Sequence, residues 1–142
     1  MDVKTITEGE FAGWTTWPNE PFEHDSAGPF YLREDNQGMV AAFRAQHKHM
    51  NAGGVVHGGC LMTFADFALF AIAHDNSESD GYGVTVAFTS EFLSGALEGE
   101  YIEARGEVTG GGKSITFVRG LVTANGRPVL NFSGTIKKRH KK

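Results

Sequence analysis

What this sequence lacks narrows its field before anything it contains does. Cysteine occurs once, at Cys60, so no disulfide can form within the chain and a reducing, cytoplasmic setting is expected. No apolar run reaches the ~20 residues of a membrane-spanning helix, because Asp66 interrupts the best stretch. The opening residues, MDVKTITEGEFAGW, have no apolar segment of the kind that marks a secretory signal. Positive charge is in the minority: 13 Lys and Arg against 17 Asp and Glu give a net charge of −4. That balance argues against nucleic acid or an anionic membrane as the main partner. Neither an HExxH pair nor a Gly-x-Ser-x-Gly elbow is present, which leaves a zinc protease and a serine hydrolase without their usual signatures.

What is present describes a small globular domain. The 142 residues suffice for one domain with a core, and 40% hydrophobic with 21% charged residues is a folding composition. Residues 1–28 carry Phe11, Trp14, Trp17 and Phe22, with Pro18 and Pro21 limiting any helix, and read as an N-terminal cap whose aromatics pack on the core. Residues 29–140 read as the main domain. Within it, Asp35-Asn36-Gln37-Gly38 has turn chemistry, so residues 30–46 read as a hairpin and 47–54 as a loop. Gly58–Ala73 is the one strong helix, with only Thr63 and Asp66 clearly polar. A helix so apolar has to be wrapped by other elements or by another chain. The polar stretch 74–83 ends it. Strands follow: Val84, Val86 and Phe88 alternate with Thr85, Ala87 and Thr89, and further strands are expected over 101–108, 114–123 and 129–137. Asn125-Gly126 joins the last two as a hairpin. The fold class is therefore α+β, an antiparallel sheet curled round one long helix.

The chemistry concentrates in NAGGVVHGGCLMTFAD, residues 51–66. The first backbone N–H groups of a helix lack internal partners and the helix dipole makes that end partly positive. Gly58 and Gly59 have no Cβ, so a ligand atom can approach those donors, as an oxyanion would require. The alternative is a tight turn where the helix packs on the sheet. Asp66 is the second anomaly. Mid-helix aspartate is a poor helix former, and a buried carboxylate is costly without a partner. It is either structurally paired or a catalytic carboxylate in a cleft. Gly58 and Asp66 are eight residues apart, about 12 Å along a helix. An aspartate side chain cannot close that gap, so the two can serve one carbonyl only if they come from different chains. Two helices antiparallel about a two-fold axis would do this, which predicts an obligate dimer with two equivalent sites.

Asn51, His57-Gly58-Gly59 and Asp66, in the pattern N-x5-H-G-G-x7-D, resemble the hotdog-fold acyl-CoA thioesterases of the 4-hydroxybenzoyl-CoA thioesterase superfamily. The branch matched is that of the phenylacetate-pathway (PaaI-type) enzymes and the mammalian thioesterase-superfamily proteins. The similarity continues through GYGVTVAFTSEFLSGALEGEYIEARGEV and GGGKSITFVRGLV, covering roughly residues 30–139. The resemblance implies a five- or six-stranded antiparallel sheet round the helix. It implies dimers with sites at the subunit interface, paired into homotetramers. It implies hydrolysis of an acyl-CoA thioester with no metal or bound cofactor, coenzyme A being part of the substrate.

Carried over by position, Gly58 would donate its N–H to the thioester oxygen. Asp66 of the partner chain would act as general base or nucleophile. Asn51 and His57 would orient water or thioester, and Thr85 would help hold the water. Gly110, Gly111, Gly112, Lys113 and Ser114 match a loop that would contact the nucleotide arm, and free N–H groups beside a lysine suit an anion. A plain glycine-rich hairpin is the other reading of that loop. The basic tail from Lys137, including Arg139, could also reach phosphate. Met62, Phe67 and Phe70 would line the acyl chamber unless they are core.

Other readings were weighed against this one. His47, His49, His57, His74 and Asp75 offer metal ligands, but at no recognised spacing. His24 and His140 have no evident partner. Cys60 sits where a helix N-terminus would lower a thiol's pKa, but a small core residue is the simpler account. Beside hydrolysis stand an acyl-CoA-binding hotdog protein without turnover, which would not need Asp66, and a hotdog hydratase, whose motif differs.

Overall fold

The computed structural model describes residues 2–74 and 83–138. Its centre is α1 (Gly58–Ala73), and the sheet that wraps it has eight strands, all paired antiparallel. In chain order these are β1 (Lys4–Thr5), β2 (Thr15–Thr16), β3 (Tyr31–Asp35), β4 (Gly38–Arg44), β5 (Gly83–Phe92), β6 (Tyr101–Gly111), β7 (Ile115–Ala124) and β8 (Arg127–Lys138). Across the sheet they run β1-β2-β3-β4-β6-β7-β8-β5. The six longer strands are the sheet anticipated from sequence. The further two come from the N-terminal segment, which continues the same sheet beyond β3 rather than only capping it.

The helix fits because its buried face is alternately bulky and small. Phe64, Phe67, Leu61 and Leu69 fill the concave face of the sheet, while Ala65, Ala68 and Ala71 let it approach closely. Phe30, Phe43, Ile102, Val118, Val122, Leu130 and Phe132 meet them in one core. Each large side chain so buried contributes about 1.5–3 kcal/mol. Gly134 on β8 is needed for this contact: a Cβ there would stand 2.5 Å from Leu69 Cδ1.

One expectation about aromatics is corrected. Phe22 does not join the core; it is 66% exposed, because the turn over Pro21–Ala27 presents it outward. Phe11, Trp14 and Trp17 do pack inward. Of the two readings of Phe67, the structure takes the core one: it is buried against Trp17 at 5.0 Å between ring centroids, and Phe30 lies close behind.

β5 pairs only with β8 and forms one edge of the sheet. A bulge between Thr85 and Ala87 shifts its register. The extra residue re-aims the side chains. Thr85 and Phe88 therefore turn toward the protein, whereas Val84 and Val86 face outward, 38% and 54% exposed.

Candidate active site

The helix start is built by the loop before it. Met50 bridges to Val56, and Asn51 Oδ1 accepts hydrogen bonds from the N–H groups of Gly53 (2.9 Å) and Val55 (3.2 Å). Asn51 thus spends its side-chain oxygen on shaping the loop, and its amide nitrogen remains the group that can face a ligand. His57 caps α1. Its Nδ1 accepts from Gly59 N–H at 2.8 Å, which places the proton of the neutral ring on an outward Nε2. Nothing among the described residues accepts the Gly58 N–H. The open flank of Gly58 faces Phe92, whose ring a Cβ would approach to 3.0 Å.

Two turns further on, the exposed stripe of α1 carries Met62, Thr63 and Asp66. Thr85 donates its hydroxyl hydrogen to Asp66 Oδ1 across 2.6 Å. This fixes the carboxylate beside a cavity of about 410 Å³, lined by Glu20, Phe22, Glu23, Met62, Thr63 and Asp66. So the aspartate is not fully buried and, among the described residues, is not paired with a cation. It is half-buried, oriented and open on one side.

The structure therefore brings the expected residues together in two groups. Asp66 joins Thr85, while His57, Gly58 and Asn51 gather at the helix tip. Among the described residues, the lining of the Asp66 cavity contains none of His57, Gly58 and Asn51. The unbroken helix between Gly58 and Asp66 is the reason.

A third group lies at one end of the sheet. Gly110, Gly111 and Gly112 lead into Lys113 and Ser114 at the exposed β6–β7 turn, where Ser114 O accepts from Lys138 N–H at 2.8 Å. The register places Thr85, Ile136, Thr116 and Gly111 in one row across β5, β8, β7 and β6. At the usual strand spacing that row spans roughly 14 Å. Lys113, Lys137 and Lys138 thus share the end of the sheet that carries Thr85. Arg139 and His140 lie outside the described residues, as does Asp75.

Other candidates are accounted for locally. His49 is buried; its Nδ1 accepts from Gln46 N–H and its Nε2 donates to Ala27 O at 2.7 Å, and burial lowers its proton affinity. Both ring nitrogens are spent on holding two loops together. Cys60 is half-buried, and burial pushes its thiol up to about 11, the reverse of an activated nucleophile.

Two residues of the Asp66 cavity were not anticipated. Glu20 and Glu23 arrive from the Pro21–Ala27 turn and the residue before it, a segment read only as a cap. Burial first, then Glu20 and Asp66, push Glu23 up to about 8. Only the wide turn, in which Gly28 N–H reaches Glu23 O at 2.7 Å, explains its placement, and no local pattern announces it.

Comparison with known proteins shows the family and the fold. The family model described as "Thioesterase superfamily" matches residues 53–130. A Pseudomonas aeruginosa protein named "Putative esterase PA0474" is 34% identical over 111 residues, 78% of this chain and 83% of its own. Among solved structures, the Escherichia coli PaaI protein from the phenylacetic acid degradation operon aligns with a TM-score of 0.67 at 19% identity, over 80% of this chain and 81% of its own. The Bacillus halodurans protein BH2602, solved with CoA, aligns with a TM-score of 0.69 at 21% identity, over 78% of this chain and 74% of its own. The shared architecture is the hotdog fold.

Proposed function

The chain belongs to the thioesterase superfamily, and from that premise we propose that it hydrolyses the thioester of an acyl-coenzyme A at sites shared between two protomers. The Thr85–Asp66 hydrogen bond carries the reading. A hydroxyl clamp on one carboxylate oxygen holds the group beside a cavity, as a base acting on water requires. In this mechanism Asp66 Oδ2 takes a proton from water as the water oxygen attacks the thioester carbonyl carbon. The oxyanion that forms is met by the unclaimed Gly58 N–H of the second protomer, at the positive end of its helix. His57 Nε2–H and the Asn51 amide stand beside that donor and orient the thioester.

The edge of β5 supports the dimer. Its outer hydrogen-bonding groups are unpaired among the described strands, and Val84, Val86, Phe92 and Leu93 are exposed along it and just beyond. Such an edge joins readily to a second copy of itself about a two-fold axis. Coenzyme A in the Bacillus halodurans neighbour makes the nucleotide thiol the natural leaving group. The Gly110–Gly111–Gly112–Lys113–Ser114 turn, with Lys137 and Lys138, offers N–H groups and cations for its phosphates.

The test is release of free thiol from a panel of acyl-CoA thioesters. Wild-type protein is expected to release thiol, and Asp66→Asn to lower kcat by about 10²–10⁴, the worth of a general base. Full activity in that variant removes Asp66 from the mechanism. Binding of acyl-CoA without thiol release by the wild type would make the protein a carrier or sensor instead.

A further inference from the structure

The cavity beside Asp66 holds two further carboxyls, Glu20 and Glu23, to which the mechanism above gives no task. Glu23 enters it opposite the exposed stripe of α1, and among the described residues its side chain makes no hydrogen bond or ion pair. Cations nearby are committed elsewhere. Lys48 donates to the carbonyl oxygens of Ser26 and Gly28, and His24 pairs with Asp25. Among the described residues, the charges that face Glu23 are therefore Glu20, beside its own turn, and Asp66, on α1. Both raise its affinity for a proton, after burial itself, so at neutral pH Glu23 holds a proton in the cavity it shares with the proposed base. Two carboxyls that share a cavity, one of them holding its proton, are suited to divide acid and base work between them. The segment that supplies Glu23 lies outside residues 53–130, the part matched by the family model.

Thioester hydrolysis has a step that needs such a group. A thiolate has a conjugate-acid pKa of about 8.5, so at neutral pH its departure is helped by a donor of similar proton affinity. Resting on the hydrolase reading, we propose that Glu23 is the general acid of this site, protonating the coenzyme A sulfur as it leaves. The water oxygen bonds to the carbonyl carbon and gives its proton to Asp66. The carbon–sulfur bond breaks, its electron pair passes to sulfur, and sulfur takes the Glu23 proton. The products are a carboxylic acid and a thiol, and the proton on Asp66 returns to Glu23 through the solvent-connected cavity.

The experiment compares wild type with Glu23→Gln on two thioesters of one acyl group, the coenzyme A ester and the thiophenyl ester. An arylthiolate leaves without a proton. The expected result is a kcat lower by about tenfold to a hundredfold on the coenzyme A ester, with less than about a twofold change on the thiophenyl ester. The decline of wild-type kcat/KM as pH rises through about 8 should also disappear in the variant. An equal loss on both esters would make Glu23 a structural or acyl-binding residue, and no loss on either would make it a spectator; both overturn the proposal. Turnover of both esters by the wild type with the wrong variant pattern sinks this inference alone. Thiol release from neither ester sinks the hydrolase reading and this one together.

Discussion

Replacing Thr85 by valine keeps the β-branched shape and deletes the one hydroxyl that donates to Asp66 Oδ1. The carboxylate then loses its orientation but not its chemistry. Thr85→Val should lower kcat by roughly tenfold with an unchanged fold, the cost of one charge-assisted hydrogen bond of about 1.5–3 kcal/mol only partly expressed. Thr85→Ser should restore most of it, and steady-state kinetics on one acyl-CoA checks both. Glu23 predicts a stability effect of definite sign. Its folded-state pKa is raised to about 8 from 4.5, so the native state binds this proton more tightly than the unfolded chain. The contribution is present in full below pH ~4.5 and is lost as pH rises toward 8. Glu23→Gln should therefore raise the melting temperature more at pH 8.5 than at pH 5, measured by calorimetry at both. Equal shifts at the two values would contradict the burial that sets this pKa. Asp66 and Gly58 were legible as residues because each violates a local rule: a carboxylate in an apolar helix, and paired glycines where a helix begins. Glu23 violates none. It is a charged residue in a polar, proline-bounded segment, and only a long-range contact gives it a place.

At the scale of elements, periodicity told most of the story. Gly58–Ala73 is a helix because nothing in it breaks one, and the Asn125-Gly126 turn joins β7 to β8, with Asn125 at a φ of 47°. Strand β5 was legible as a strand but not in its facing. Alternation alone would put Val84, Val86 and Phe88 on one side, and the bulge moves Phe88 to the side of Thr85. A bulge leaves no clear trace in composition, since any residue can occupy the extra position. The two-residue strands β1 and β2 were also invisible, being too short to show a period. The close fit of α1 on β8 makes a prediction here. Gly134→Ala sets a Cβ 2.5 Å from Leu69 Cδ1 and 3.2 Å from the Ala87 carbonyl oxygen, and the fully buried Leu69 must shift within a packed core to admit it. Such overpacking costs about 1–3 kcal/mol, read as a lower denaturation midpoint. An unchanged midpoint would mean that the helix is not pressed against β8.

For the whole molecule, the proposed mechanism turns on one helix whose donor and acid cannot meet within a chain. In that proposal the free edge of β5 is where a second copy docks, so a charge on its outward face should break both assembly and activity. Val86→Lys is expected to shift the protein toward monomer in sedimentation equilibrium and to lose activity in proportion. The most direct measurement is complementation between two inactive variants, Asp66→Asn and Gly58→Val, unfolded together and refolded as a mixture. A site shared between protomers predicts that about half of the random dimers are mixed and that each mixed dimer holds one intact site, giving about a quarter of wild-type activity. A mixture as inactive as its two components would place donor and acid in the same chain and contradict the account.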